Sequence, residues 1–223
     1  MSSSIVIDLA SLSPDSAVYN AAIEQVADRL RAGEIVVLPI EGGYIFTCDA
    51  FNQASVARIH QMRGDAPGIA AQVLLSSAKV LPGIAQSVSD DVKSLVEKFW
   101  PGPLTLITSP SASLLWDLGD GGALGESAMR VPAHAFTRSV IERVGPLAAA
   151  SASSAGNPPA LSLANIFTIA GEVGLFIDEG DLAPAEPSTV IRASANSLTA
   201  SRIGAISLTQ LREVIPTIQG ANL

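Results

Sequence analysis

Phe99-Trp100-Pro101-Gly102-Pro103-Leu104-Thr105-Leu106-Ile107 is the stretch that decides how this chain reads. A helical pattern runs into it from Val92, and an apolar, β-branched run leaves it from Leu104 to Thr108. Two prolines around one glycine cannot continue a helix, because proline has no N–H to give and glycine relaxes the backbone. The stretch predicts a stiff corner that turns a helix into a buried strand, with Trp100 as its apolar wedge.

Working outward, strand and helix patterns alternate on both sides of the corner. Upstream, Ser4 to Ala10 reads as a short strand, and Ser13-Pro14-Asp15 opens a helix with Pro where its missing N–H costs nothing. Val18, Ala22, Val26, Ala27 and Leu30 form its stripe, and Gly33 stops it. Ile35 to Leu38 is a strand buried on both faces, ended by Pro39. Ile40 to Tyr44 is then a flexible loop and Ile45 to Cys48 a returning strand. Ser55 to Met62 is helical, Arg63 to Gly68 a charged, glycine-rich loop, and Ala71 to Leu75 a strand. Pro82 to Val88 and Asp90 to Phe99 read as helices. Downstream, Ser109 to Ser127 is irregular, and Ala128 to Pro132 is a strand followed by a helix at Ala135 to Val144. Leu147 to Ala150, Gly174 to Ile177, Ser188 to Arg192 and Ser201 to Ile206 are strands, and Thr209 to Ile215 a short last helix. With no repeat and no long linker, the expectation is one α/β domain over residues 1–223.

Composition narrows the function. The 223 residues are 48% hydrophobic and 15% charged, enough for a full core, and the net charge is −8. That balance disfavours a protein whose main work is coating nucleic acid, since phosphate binding rests on clustered Lys and Arg. Cys48 stands alone, so no internal disulfide or multi-cysteine zinc site is expected; His60 and His134 are too few for a histidine-based metal centre, and no metal site is read. Met1 to Ile7 has no positive, apolar leader pattern, and no run of eighteen apolar residues occurs, so a soluble cytoplasmic protein without a membrane partner is expected.

Standard phosphate-loop, dinucleotide, zinc-protease and nucleophile-elbow motifs are absent. What remains is a set of strand-end loops, at 39–44, 63–68, 151–157 and 187–189, with Arg130 and Arg202 on strands. Hydroxyls and arginines that converge at strand ends make a site for a phosphate or a carboxylate, which the guanidinium fork suits.

In order, these pieces resemble the Sua5/YrdC/YciO family. Val36 to Tyr44 looks like its P-T-E-T-x-Y-G-L opening, and Phe99 to Leu106 like its F-W-P-G-P-L-T-L signature. Met129-Arg130-Val131-Pro132 looks like its R-x-P, and Ser151 to Gly156 sits at its S-A-N-x-S-G. Pro187 to Ile191 looks like its P-S-T-V, and Arg202 to Ile206 like its R-x-G-x-I. The resemblance spans about residues 20–215. It implies a twisted mixed sheet flanked by helices, with a large concave cleft. It also implies a nucleotidyltransferase that joins ATP, L-threonine and bicarbonate into threonylcarbamoyl-adenylate for modification of tRNA adenosine 37. ATP is then a substrate, and magnesium would ride mostly on its phosphates and water. Tyr44 would line the cleft, and Arg130 would hold the threonine carboxylate. Arg63, Ser151, Ser153 and Arg202 would face the nucleotide, and Ser188 would lie beside threonine and adenylate. Arg63 and Ser188 would be the catalytic pair. Partner proteins of tRNA modification would be expected, while double-stranded RNA is disfavoured by the acidic balance.

The departures fall in the ligand loops. The family's K-x-R falls on Arg63-Gly64-Asp65, so its arginine position is a carboxylate. At about 4 Å and an effective dielectric near 20, one charge pair is worth roughly 4 kcal/mol, so a reversed sign against phosphate is a severe change. The two Thr of P-T-E-T fall on Ile40 and Gly42, Y-G-L is Tyr44-Ile45-Phe46, and the Asn of S-A-N is Ser153. The alternative reading is therefore a relative that binds a nucleotide, another small anion or RNA without this chemistry. The orientation of Asp65 separates the two. Facing the cleft, it makes the ATP pose hard to sustain; facing solvent, with Arg58 or Arg63 in its place, it leaves the enzyme reading intact.

Overall fold

The computed structural model describes residues 5–14, 16–166, 171–194 and 197–220. Its described strands are β1 (Ile5–Asp8), β2 (Ile35–Ile40), β3 (Gly43–Asp49), β4 (Gln72–Leu74), β5 (Leu104–Thr108) and β6 (Ser127–Arg130), followed by β7 (Leu147–Ser151), β8 (Val173–Asp178), β9 (Thr189–Ser194), β10 (Ser197–Arg202) and β11 (Gln219–Gly220). They form one mixed sheet in the order β1-β8-β2-β3-β7-β4-β6-β5-β9-β10-β11. The helices are α1 (Ala17–Arg31), α2 (Gln53–Arg63), α3 (Leu81–Ile84), α4 (Asp90–Phe99), α5 (Ala135–Val144) and α6 (Leu208–Val214). Among the described residues no helix is long and apolar enough to cross a membrane.

β2 shows how the sequence builds the two layers. Its side chains alternate, so Ile35 and Val37 enter one core with Phe46 and Cys48 of β3, while Val36 and Leu38 enter the other. The first core is covered by α2, α4 and α6 through Val56, Ile59, Leu95 and Leu211. The second is covered by α1 and α5 through Val26, Leu30, Phe136 and Val140. Burial pushes the Cys48 thiol up to about 12, as expected of a small buried hydrophobe.

The corner forms as read. α4 is capped by Ser89, carries Asp90 and Asp91 in its first turn and stops at Trp100. The Trp100–Pro101 bond is cis, and Trp100 is buried with its indole N–H donating to the Leu104 carbonyl at 2.6 Å. Leu104 to Thr108 then enters the sheet between β6 and β9.

Four boundaries differ from the sequence reading. Pro39 does not end β2: the strand runs to Ile40 and turns in a tight hairpin at Glu41-Gly42. Tyr44, opposite Pro39, gives its own N–H and C=O to Ala160 and Ala152, so Pro39 faces away from β3. On that side β8 pairs only as far as Val37, so no ladder bond is lost to the proline. α1 is capped by Ser16, whose hydroxyl accepts from Tyr19 N at 3.1 Å, with Ser13 in a preceding turn; Asp15 and Ser4 lie outside the described residues. The helix read at Pro82 to Val88 stops at Ile84 because Ala85 turns extended and bridges Pro110. The last long strand is Ser197–Arg202, not Ser201 to Ile206: beyond Arg202 the chain peels off as Gly204 N and Ala205 N turn to Thr189 Oγ1 and Pro187 O.

Candidate active site

β6 ends in Arg130, which is buried. Its Nε donates at 2.9 Å to the carbonyl of Gly102, in the middle of the corner. The corner itself is tied down beside it, with Gly102 N donating to Val131 O and Thr189 N to Pro103 O, both at 2.9 Å. The other neighbour of Arg130 is Glu41 at the β2–β3 hairpin, with Nη2 and Oε2 3.1 Å apart. Burial pulls the Arg130 guanidinium down, the Glu41 carboxylate opposes this, and the Arg202 charge adds to the lowering. Arg130 stays a cation, and Arg202 is close enough to be felt.

Arg202, at the end of β10, closes onto Ser188 just before β9. Nε and Nη2 donate to Ser188 O at 3.1 and 2.8 Å, and Nη2 also reaches Ser188 Oγ at 3.1 Å. Gly204 permits this approach, since a Cβ there would collide with the Pro187 carbonyl. Thr189 Oγ1 braces the turn, donating to Ile206 O at 2.6 Å and accepting from Gly204 N and Ile206 N. Ser188 Oγ lies 2.9 Å from Thr105 Oγ1, which accepts from Gln72 Nε2 at 3.0 Å. Gln72 and Arg202 each donate into one hydroxyl oxygen, so one hydroxyl proton closes the Thr105–Ser188 link and the other is left for a ligand.

A second cluster lies where α2 ends. Arg63 Nε donates to Asp65 Oδ2 at 2.9 Å, and Nη1 donates to the carbonyls of Ser151 and, at 2.7 Å, Ser153. Asp65 Oδ2 also meets His60 Nδ1 at 2.9 Å, and His60 Nε2 faces the Leu118 carbonyl at 2.8 Å. Both ring nitrogens of His60 thus face oxygen atoms of the chain. Gly119 is required here, because any Cβ would strike the imidazole. Burial raises the Asp65 carboxyl, but the hydrogen bonds and charges of Arg63 and His60 outweigh it and hold Asp65 below the usual carboxylate range. Ser153 is buried, and its Oγ has no partner among the described residues.

The expected site residues thus fall into three places. Arg130, Ser188 and Arg202 come together; Arg63, Ser151 and Ser153 come together; Tyr44 stands apart. Tyr44 is fully buried in the core rather than on an open wall. Its Oη accepts from Glu179 N at 2.9 Å and donates to Gly180 O at 2.8 Å, and burial pushes its hydroxyl up to about 12. Asp65 neither faces an opening nor turns to solvent: it is folded between Arg63 and His60. Arg58 does not stand in for it, being spent on Gly33 O, Ser55 Oγ and Glu172. Sequence reasoning missed Glu41, Thr105, Gln72 and His60. Glu41 and Thr105 lay inside quoted motifs, but nothing in their spacing marks them as neighbours of Arg130 and Ser188.

Solved structures place the fold in a class. Escherichia coli YciO matches 95% of this chain and 100% of its own at a TM-score of 0.78 with 22% identity. Pyrococcus abyssi Sua5, solved with L-threonine, matches 97% of this chain with a TM-score of 0.85 and 27% identity. This chain spans 62% of that archaeal protein. The class is therefore the mixed α/β fold of the YrdC-type domain. A model of the Sua5/YciO/YrdC family, described as telomere recombination, matches residues 28–204, and the chain belongs to that family. A Mycobacterium leprae relative, named provisionally as a threonylcarbamoyl-AMP synthase, is 32% identical over 190 residues, covering 85% of this chain and 86% of its own. The Bacillus subtilis threonylcarbamoyl-AMP synthase is 28% identical over 88% of this chain and 57% of its own length.

Proposed function

We propose that the protein is an L-threonylcarbamoyl-adenylate synthase, which joins ATP, L-threonine and bicarbonate, releases pyrophosphate and serves modification of tRNA adenosine 37 in the cytoplasm. The observation that carries the reading is the convergence of Arg130, Arg202, Ser188 and Thr105 at the corner. Two guanidinium groups and one spare hydroxyl proton suit a substrate with a carboxylate and a phosphate. In this reading Arg130 takes the threonine carboxylate, and Ser188 lies between threonine and adenylate. Arg202 takes charge that develops as the α-phosphate is attacked and pyrophosphate departs.

Arg63 has a different task from direct phosphate contact. Its Nε and Nη1 are engaged by Asp65 and by two carbonyls, so they hold the Ser151–Ser153 loop in place. Ser151 and Ser153 then meet the nucleotide. Asp65, spent on Arg63 and His60, presents no free charge to phosphate, and this favours the synthase over a repurposed relative. Magnesium would arrive with the ATP phosphates; among the described residues no group of three or more His, Cys, Asp or Glu is placed to hold an ion by itself. tRNA-modification proteins are the partners this reading proposes.

The test is pyrophosphate release from ATP with threonine and bicarbonate. Release that requires both co-substrates is expected. ATP binding without threonine-dependent release, in a folded sample, would overturn the reading in favour of a nucleotide-binding relative.

A further inference from the structure

Two hydroxyls that share one hydrogen bond can point either way, and at Thr105 and Ser188 the surroundings choose. Thr105 is 3% exposed, while Ser188 is half-buried. Thr105 Oγ1 receives Gln72 Nε2 at 3.0 Å and lies 2.9 Å from Ser188 Oγ. Gln72 is on β4, two strands from Thr105. β6 lies between them, and level with Gln72 it carries only the methyl of Ala128, so the amide can reach β5. If Ser188 donates, Thr105 accepts twice and its own proton is buried with no acceptor among the described residues, which is costly. If Thr105 donates, Gln72 satisfies its oxygen and Ser188 satisfies its proton. Ser188 Oγ then receives both Thr105 and, at 3.1 Å, Arg202 Nη2, so both of its lone pairs are taken and only its proton is left.

We infer that Gln72 is a positioning residue: by offering Thr105 a donor, it sets the direction of the hydroxyl chain and makes Ser188 a hydrogen-bond donor to an anionic oxygen of the substrate. The inference rests on the synthase reading above and adds to it the part that Ser188 plays. With both lone pairs engaged, Ser188 accepts no proton and attacks no atom. It stabilises negative charge beside Arg202 as that charge develops. Thr105 alone does not set this direction. Without a donor at position 72, either direction leaves it half-satisfied, its oxygen lacking a donor or its proton lacking an acceptor. An acceptor at position 72 would reverse the chain, since Thr105 would donate to it and Ser188 would donate to Thr105.

The experiment measures kcat and KM for pyrophosphate release by the full chain, by Gln72→Met, Gln72→Glu and Ser188→Ala, and by the two double variants, each normalised to its folded fraction. Gln72→Met keeps the length without the donor, and it should lower kcat about 3- to 10-fold with the KM for threonine little changed. Gln72→Glu keeps the shape but presents an acceptor, and it should lower kcat about 30-fold or more. In the Ser188→Ala background both losses should shrink to less than about twofold, because the proton they act on is gone. Losses that are equal in the two backgrounds mean that residue 72 acts through packing, or through charge on Arg130 and Arg202, and overturn the inference. An unchanged kcat in both single variants at position 72 overturns it too, and in either case the synthase reading stands. A full chain that releases no pyrophosphate overturns that reading and the inference with it.

Discussion

The two arginine clusters differ in what their charges have left to give. Around Arg63 most of the charge is paired: Asp65 Oδ2 meets Arg63 Nε and His60 Nδ1, Arg63 Nη1 reaches the carbonyls of Ser151 and Ser153, and His60 Nε2 faces the Leu118 carbonyl. Around Arg130 the cluster stays open: one Thr105–Ser188 hydroxyl proton has no acceptor among the described residues. A saturated cluster holds loops; an open one awaits a ligand. The comparison ranks the expected effects of breaking each.

The largest should come from Arg130→Lys. Lysine keeps the charge but not the fork that meets the Gly102 carbonyl, Glu41 and a substrate carboxylate together. The expected loss in kcat/KM for pyrophosphate release is about 100-fold or more, with the denaturation midpoint lowered far less. A loss of stability that matched the loss of activity would show that Arg130, like Arg63, is structural.

Asp65→Arg comes next, and it reverses what the family pattern suggests. Placing the arginine of the family pattern there would remove the carboxylate and set a second guanidinium beside Arg63 and the His60 ring, both of which are mostly buried. Breaking such a pair costs about 3–5 kcal/mol, so the variant should melt well below the parent rather than gain activity. The carboxylate also sets a pH window. Its folded pKa is depressed below the unfolded value of about 3.9, so its contribution is fully present above that value and is lost as pH falls through the folded pKa. Urea denaturation from pH 6 down to pH 3 should lose stability toward the acid end, and Asp65→Asn should flatten that part of the curve. An equal slope in both proteins would mean that other carboxylates set it.

Much of this was legible beforehand where one residue forces one geometry. Trp100-Pro101-Gly102-Pro103 permits little except a corner, and the bounds of α4 and α5 follow from caps and helical spacing. Legibility failed where tertiary pairing overrode a local signal. Pro39 reads as a strand end, yet its missing N–H faces the side where β8 has stopped. Ser197-Leu198-Thr199-Ala200 precedes the strand expected at Ser201 to Ile206, yet β9 supplies the ladder that makes it a strand. Asp65 reads as a conflict with phosphate, because sequence shows its charge but not the His60 and Arg63 that neutralise it.

The smallest effect should be Ser153→Ala, and it tests the one exception inside the saturated cluster. Ser153 contributes to the Arg63 clasp through its backbone carbonyl, which alanine retains. The hydroxyl is buried and has no partner among the described residues, so it lowers stability rather than adding to it. Removing it should leave the denaturation midpoint unchanged or raise stability by up to ~1 kcal/mol. If Ser153 meets nucleotide as proposed, ATP affinity should nevertheless fall about 5- to 10-fold, one hydrogen bond's worth. Unchanged ATP affinity would make the Arg63 cluster a pure clasp and leave nucleotide selection to Arg202 and Ser188. A fall in affinity without a fall in stability would give the saturated cluster one open valence, placed where the clasp holds its loop toward the ligand.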